Sequence, residues 1–139
     1  SAIEATSFSG ELFEPNYFSY KEDVDLAYRL HRGGWAVCIV QNAIAWHRRS
    51  MRRKWFCRPS TVHDMYSYRN HLWNILVHTS ISEWVLQGWC ILSFEVAKAL
   101  YYAMHSPKIL ISAWKQTVVI LPYLLKRREK LKSIYKNAS

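Results

Sequence analysis

Cysteine is scarce in this chain, and its spacing argues against a disulfide framework. The 139 residues contain three cysteines, Cys38, Cys57 and Cys90, an odd number with no paired spacing. This pattern favours a reducing compartment. The opening residues 1–4 also lack the basic and apolar regions of a secretory signal peptide.

Acidic residues are scarce after position 28. Residues 1–28 hold six acids and one base, whereas residues 29–139 hold four acids and eighteen bases, and the net charge is +9. This split predicts an acidic site on a basic body that meets an anionic partner. Phosphate groups and lipid headgroups fit that description. Nucleic acid does not, because the acids at 22–25 would repel it and no nucleic-acid-binding motif is present.

Apolar residues make up half of the chain, which is enough for one folded core. Apolar spacing predicts a helix from Glu22 to Arg32, ended by Gly33 and Gly34. Residues 35–40 are rich in β-branched side chains and predict a buried strand. Residues 43–47 predict a second extended piece, and residues 48–54 a basic loop.

The pattern becomes helical after Pro59. Thr61 with Asp64 resembles a capping box, and Ser80 with Glu83 is a clearer one, opening a helix that runs to about His105. Ser106 and Pro107 supply the start of a third helix, which continues toward Lys132 and which we expect to bend at Pro122.

Uninterrupted apolar runs long enough to cross a membrane are missing. Residues 83–104 are interrupted by Glu83, Glu95 and Lys98, and residues 109–125 by Lys115 and Pro122. Each charge costs about 2.5–3.5 kcal/mol at the centre of a membrane helix. The aromatic residues and the basic stretch 126–132 instead suit helices that lie in the membrane interface. A helical hairpin packed on its own domain is an equal alternative.

Three carboxylates cluster at the start of the first predicted helix. Glu22, Asp23 and Asp25 can stabilise the positive end of the helix dipole, and Asp25 can pair with Arg29 one turn later. The same acids are also candidates for proton abstraction. The Asp23 and Asp25 side chains diverge at this spacing, so we do not assign them to one metal ion.

A histidine follows the predicted strands. His47 lies where a strand ends, at a kind of position where sites are commonly built. Its spacing from Cys57 and His63 does not match a zinc motif. The neighbouring basic loop contains arginines whose guanidinium groups match phosphate oxygens, although a solvated charge run is an equal alternative.

The order of these motifs resembles a known family. Tyr-Phe-x-Tyr-Lys-Glu-Asp-Val-Asp-Leu-Ala-Tyr-Arg-Leu at 17–30, Gly-Trp at 34–35 and Ala-x-Ala-Trp-His at 43–47 resemble the C-terminal half of a family 2 glycosyltransferase. The bacterial rhamnosyltransferase-like members that build cell-surface polysaccharides are the most similar. The resemblance implies an α/β fold: the C-terminal part of a Rossmann-like GT-A domain, followed by a helical tail that associates with the membrane.

The resemblance also implies a function and site residues. The reaction would be inverting transfer of a sugar from a nucleotide-sugar donor to a polysaccharide or lipid-linked acceptor. Asp23 would be the general base, Glu22 would support the acceptor, and His47 would bind a divalent cation, Mg²⁺ or Mn²⁺. Donor contacts would come from Trp46, Arg48 and Arg49, and the structural roles would fall to Asp25 and Arg29.

We expect two regions on this basis. Residues 1–58 would be the acceptor side of a catalytic domain whose nucleotide-binding half is absent, and residues 59–139 a C-terminal helical region. The chain would be a piece of a longer protein or pair with a separate half, would be inactive alone, and would lie on the cytoplasmic face of the cell membrane. The alternative function is a non-catalytic membrane-interface or scaffold module.

Overall fold

The computed structural model describes residues 6–7, 10–36, 38, 40–44, 46 and 62–138. Four α-helices account for most of this part of the chain: α1 over Glu22–Arg32, α2 over Val62–His78, α3 over Ile81–His105 and α4 over Pro107–Ala138. A single 3₁₀ turn, Pro15–Tyr17, precedes α1.

The predicted α/β fold class is wrong. The part of the chain that the structure describes contains no β-strand, so the recognition of a Rossmann-like GT-A domain is also wrong. Trp35 and Val40, expected in a buried strand, are 46% and 66% exposed. The physical reason is that a strand needs a neighbour for its backbone N–H and C=O groups, and the described residues supply none. Val37, Ile39 and Ala45, from the two predicted strands, lie outside the described residues.

The helix boundaries follow local signals in the sequence. The hydroxyl of Ser80 accepts a hydrogen bond from the Glu83 backbone N–H at 3.2 Å, while the Glu83 carboxylate accepts one from the Ser80 N–H at 2.6 Å. This capping box is confirmed. The predicted end of α1 at Gly33 is confirmed as well. Thr61, expected to cap α2, lies outside the described residues.

The last helix continues through its proline. Pro122 lies inside α4, which extends without a break to Ala138. Proline has no backbone N–H, so the helix lacks one internal hydrogen bond at this position. Pro122 is exposed, so the freed carbonyl one turn earlier is on a face that does not pack against the other helices.

Helices α2, α3 and α4 form an up-down-up arrangement with very short connections. Residues 79–80 join α2 to α3, and residue 106 joins α3 to α4. The contact between α2 and α4 is the most extensive one, and α1 packs on α2. The apolar core is small and consists of two clusters of buried residues: Tyr17, Trp73, Val77, Leu124 and Leu131 in one, and Tyr68, Tyr102, Ile109 and Ala113 in the other.

Candidate functional site

Asp25 is the centre of a buried ionic cluster that joins three helices. Its Oδ1 accepts hydrogen bonds from Nη1 of Arg127 at 2.7 Å and from Nε2 of His78 at 2.8 Å. Its Oδ2 accepts from Nη2 of Arg127 at 2.9 Å and from Nε of Arg29 at 3.0 Å. All four side chains are at most 1% exposed. The Asp25–Arg29 ion pair expected along α1 is therefore present, within a larger cluster.

These contacts set the ionisation of the cluster. Burial by itself would raise the pKa of Asp25, but hydrogen bonds from His78 and Arg127 outweigh it and hold that pKa well below its usual range. Burial lowers the pKa of His78, although Asp25 opposes the effect. Asp25 is therefore ionised and His78 neutral at pH 7, with the His78 proton on Nε2, where it is donated to Asp25.

Glu14 extends the ionic cluster toward the start of the chain. Its Oε2 lies 3.0 Å from Nε of Arg127, a close ion pair whose angle does not make a hydrogen bond. Both carboxylate oxygens accept from the Tyr123 hydroxyl at 2.9 Å, and Oε1 accepts from the Asn16 amide at 2.6 Å. The segment before α1 is thereby fixed to α4.

The turn before α1 has an unusual backbone. Phe18, Tyr20 and Lys21 have φ values of 61°, 68° and 68°, in the left-handed region that non-glycine residues rarely adopt. The Asn70 side-chain amide stabilises this turn by donating to the carbonyl oxygens of Tyr17, Ser19 and Tyr20 at 3.0, 2.8 and 2.7 Å. A strained turn of this kind needs such external support.

Arg69 supports the same turn from the neighbouring position on α2. Its guanidinium donates to the carbonyl oxygens of Asn16 and Tyr17, both at 3.0 Å. It lies between two aromatic rings, 4.1 Å from the ring centroid of Trp73 and 4.6 Å from that of Tyr66. Both cation–π contacts favour the charged guanidinium at this buried position.

The two predicted catalytic acids lie beside this cluster but outside it. Asp23 is exposed, and its Oδ1 accepts from the Val24 backbone N–H at 2.9 Å. Glu22 is half-buried, and its Oε2 has no hydrogen-bond partner within the described ranges. The acids therefore differ in environment: both carboxylate oxygens of Asp25 accept hydrogen bonds inside the protein, while Asp23 faces solvent.

Of the predicted cation and donor residues, only Trp46 lies in the part of the chain that the structure describes. His47, Arg48 and Arg49 lie outside the described residues, and Trp46 is 97% exposed. Residues 6–7, 10–36, 38, 40–44, 46 and 62–138 contain no group of three histidine, cysteine or acidic side chains that could hold a metal ion. The prediction of Mg²⁺ or Mn²⁺ at His47 therefore stays a prediction.

Helix α3 has its charges on the protein side and a continuous stripe of large apolar residues on the opposite side. Glu95 lies 2.8 Å from Nε2 of His71 and 3.8 Å from Nζ of Lys98, and Glu83 pairs with Arg32 at 2.7 Å. The opposite side, here called the α3 outer face, is 57% to 78% exposed and consists of Val85, Trp89, Leu92, Val96 and Leu100. Their spacing places them along one stripe of the helix.

Helix α4 has a comparable apolar stripe. The α4 outer face consists of Ile111, Trp114, Val118 and Leu125, which are 48% to 66% exposed. Helical spacing places three exposed lysines along one edge of this stripe: Lys108, Lys115 and Lys126. Of the residues described, only the span Pro107–Lys136 is long and apolar enough to cross a membrane. A core helix of a soluble protein can be equally long and apolar, but it is mostly buried. In this span only 11% of the most apolar window is buried.

The basic stretch after residue 125 does not face outward as a whole. Arg127 is buried against Asp25, and Arg128 donates to the carbonyl oxygens of Leu76 and Thr79, each at 2.7 Å. Arg128 thereby satisfies carbonyl groups that the end of α2 leaves without helical partners. The expectation that this whole stretch contacts lipid is wrong for these two arginines.

Sequence reasoning missed Arg127, His78, Asn70 and Glu14 as members of the ionic cluster and the turn. One signal was available for Arg127, because it lies at helical spacing between Leu124 and Leu131 on the buried stripe of α4. A charge on such a stripe indicates a buried partner.

Comparisons of this chain with protein-family models, curated proteins and solved structures found no match. The helical architecture and these comparisons leave the proposed family membership without support.

Proposed function

We propose that this chain is a membrane-interface module that binds an anionic bilayer through the outer faces of α3 and α4. The observation that carries the proposal is the inverted distribution of residues on α3. Its charged residues pair with partners on the protein side, and the five large apolar residues of the α3 outer face are exposed along the other side.

Exposed apolar stripes on two successive helices are unfavourable in water. Monomeric soluble proteins rarely expose contiguous apolar patches of more than a few hundred Å². Burying these side chains in acyl chains recovers about 25 cal/mol per Å². The tryptophans on the two outer faces, Trp89 and Trp114, are residues that favour the boundary between headgroups and acyl chains.

Three exposed lysines indicate that the proposed membrane partner is anionic. Lys108, Lys115 and Lys126 border the α4 outer face, where each can attract an anionic headgroup by about 1 kcal/mol. From Ile111 to Leu125 this face is about 21 Å long at 1.5 Å per residue. That is shorter than the hydrocarbon core of about 30 Å. Since Lys115 also lies within this length, we propose that α4 lies along the membrane surface and does not cross it.

Vesicle flotation tests the proposal. We expect the full chain to bind vesicles with one third phosphatidylglycerol more strongly than pure phosphatidylcholine vesicles. Leu92→Glu should weaken binding to both by at least about tenfold, since a charge in the apolar layer costs more than 1.4 kcal/mol.

Ala27→Glu is the matched control, because Ala27 is an exposed position on α1 away from both outer faces. It should bind vesicles as the parent chain does. Equal loss in the two variants, or a soluble monomer that does not bind vesicles, would refute the proposal. A soluble dimer that Leu92→Glu dissociates would assign the α3 outer face to a second copy of the chain.

Sugar transfer at Asp23 is the second candidate function. The observation that favours it is the strained turn, in which Phe18, Tyr20 and Lys21 hold positive φ values directly before an exposed carboxylate. Strain of this kind is concentrated at functional sites. In this proposal Asp23 accepts the proton of an acceptor hydroxyl, such as that of a glycan or lipid-linked sugar.

The test of the second candidate is sugar-nucleotide turnover by the encoded full-length protein with Mg²⁺ and membrane lipid extract. Asp23→Asn should lower turnover at least about 10²-fold, the size expected for a general base. Asp64→Asn, on another helix, is the control. Full turnover by Asp23→Asn would refute a role for Asp23 as the general base of sugar transfer.

A further inference from the structure

A cleft of about 360 Å³ lies between α1, α2 and α3. Ile75, Ile91 and Phe94 contribute apolar side chains to its walls, and His78, Glu83 and Glu95 contribute polar ones. Its volume is within the range of small-molecule sites in proteins. The cleft is separate from the exposed Asp23, which does not line it.

One buried polar atom in the cleft wall has no partner. His78 is 4% exposed, and Nδ1 of its ring makes no hydrogen bond within the part of the chain that the structure describes. The other ring nitrogen, Nε2, is held by Asp25 at 2.8 Å, and the ring stacks on Tyr28 with centroids 5.0 Å apart. The imidazole is therefore fixed in orientation, with an acceptor lone pair on Nδ1.

A second acceptor lies in the same cleft wall. Oε2 of Glu95 is buried and has no hydrogen-bond partner in the described ranges, whereas Oε1 is held by His71 at 2.8 Å. A buried polar atom without a partner costs roughly 1–3 kcal/mol. Both unpaired atoms are acceptors, so a molecule that satisfies them must supply donors.

Charge in the cleft distinguishes between neutral and cationic donors. Glu83 is paired with Arg32 and Glu95 lies near Lys98, so both carboxylates already have cationic neighbours. An additional ammonium group would lie close to Arg32 and Lys98 without an unpaired anion to balance it. A neutral hydroxyl donates without adding charge.

We infer that this cleft binds an amphiphile whose hydroxyl group donates to Nδ1 of His78, with Oε2 of Glu95 as a second acceptor in the same wall, and whose apolar part packs against Ile75, Ile91 and Phe94. The inference does not depend on the proposed membrane function, since the α3 outer face is on another side of the helix.

Binding of 1-octanol to the full chain tests the inference, with 1-methoxyoctane as a ligand that has a similar tail and no donor. Titration of the ¹⁵N-histidine-labelled chain should shift the Nδ1 resonance of one imidazole with 1-octanol alone. The affinity for 1-octanol should exceed that for the ether about fivefold or more, as expected for one hydrogen bond.

Two variants locate the site. His78→Phe keeps the flat ring and removes the acceptor, so it should abolish the shift and reduce the preference for the alcohol. Cys90→Trp fills the cleft from an exposed position in its wall, should leave folding intact and should weaken 1-octanol binding at least tenfold. Equal affinities for alcohol and ether, or unchanged binding by Cys90→Trp, would overturn the inference. Vesicle binding should be the same in Cys90→Trp and the parent chain, which separates this site from the membrane surface.

Discussion

The inside of this molecule is richer in charge than the outer faces of its two longest hydrophobic helices. Glu14, Asp25, Arg29 and Arg127 are buried at the centre, whereas Val85, Trp89 and Leu92 are exposed on α3. In a typical soluble domain the charged side chains would be exposed and the large apolar side chains would be buried. The difference teaches that the helices are held together by specific ion pairs and hydrogen bonds, and that their apolar stripes are available for a partner.

The ionic centre should respond most strongly to substitution. Arg127→Met removes the bidentate partner of Asp25 and the ion pair to Glu14, and leaves both acids buried. Breaking a buried pair in this way costs about 3–5 kcal/mol. We expect a loss of that size in the free energy of unfolding, measured by chemical denaturation in detergent.

Lys126→Met is the control for Arg127→Met, because the neighbouring lysine is exposed and the change is of the same kind. It should alter the free energy of unfolding by less than about 0.5 kcal/mol. Equal stability of the two variants would show that the ionic centre does not hold the helices together.

Substitution of two leucines compares the buried core with the α3 outer face directly. Leu124 is buried against Trp73 and Val77, and Leu124→Ala should cost about 2–5 kcal/mol. Leu92 is on the α3 outer face, and Leu92→Ala should change unfolding in detergent by about 0.5 kcal/mol or less. A large loss for Leu92→Ala would mean that the α3 outer face is packed in the folded chain and is not available for a partner.

The strained turn should be the next most sensitive element. Asn70→Ala leaves the carbonyl oxygens of Tyr17, Ser19 and Tyr20 without the side-chain amide, at an expected cost of about 1–3 kcal/mol. Amide hydrogen exchange should accelerate in residues 17–25 before it does in α3. Gln87→Ala, at an exposed position, is the control and should leave exchange in this segment unchanged.

The smallest expected effect is a pH dependence from His78. Burial lowers its pKa in the folded chain, so below about pH 6.5 the unfolded chain binds a proton that the folded chain resists. The free energy of unfolding should therefore fall as the pH drops below 6.5, by up to about 1.4 kcal/mol per unit. His78→Gln should flatten this slope, and His105→Gln, at an exposed position, should not. A slope unaffected by His78→Gln would contradict the buried neutral imidazole.

The helices were predictable because their signals are local. The capping box at Ser80 and Glu83 and the glycine after Arg32 are contained within a few residues each. The strand prediction at 35–40 failed because β-branched composition indicates a strand only where a neighbouring strand exists. The membrane interpretation of α3 treated Glu95 and Lys98 as interruptions of an apolar run. In the folded chain both lie on the side of α3 that faces His71.

The candidate site was less predictable, since most of its contacts join distant positions. Asp25 and Arg29 are one helical turn apart, and their pairing follows from spacing. Nothing local to Asp25 indicates His78, 53 positions later, as its second partner. Asn70 is similarly distant from the turn that it stabilises.

The distance between Asp25 and Arg127 has a consequence for synthesis of the chain. The two residues are 102 positions apart. At a translation rate of 5–20 residues per second, Asp25 is synthesised about 5 to 20 s before its bidentate partner. During that interval Asp25 has Arg29 as a partner and, after 53 more residues are made, His78, but it has no partner from α4. The ionic cluster can therefore form completely only after most of the last helix is made, and a chain released before residue 127 lacks the contacts of Arg127 with Asp25 and Glu14.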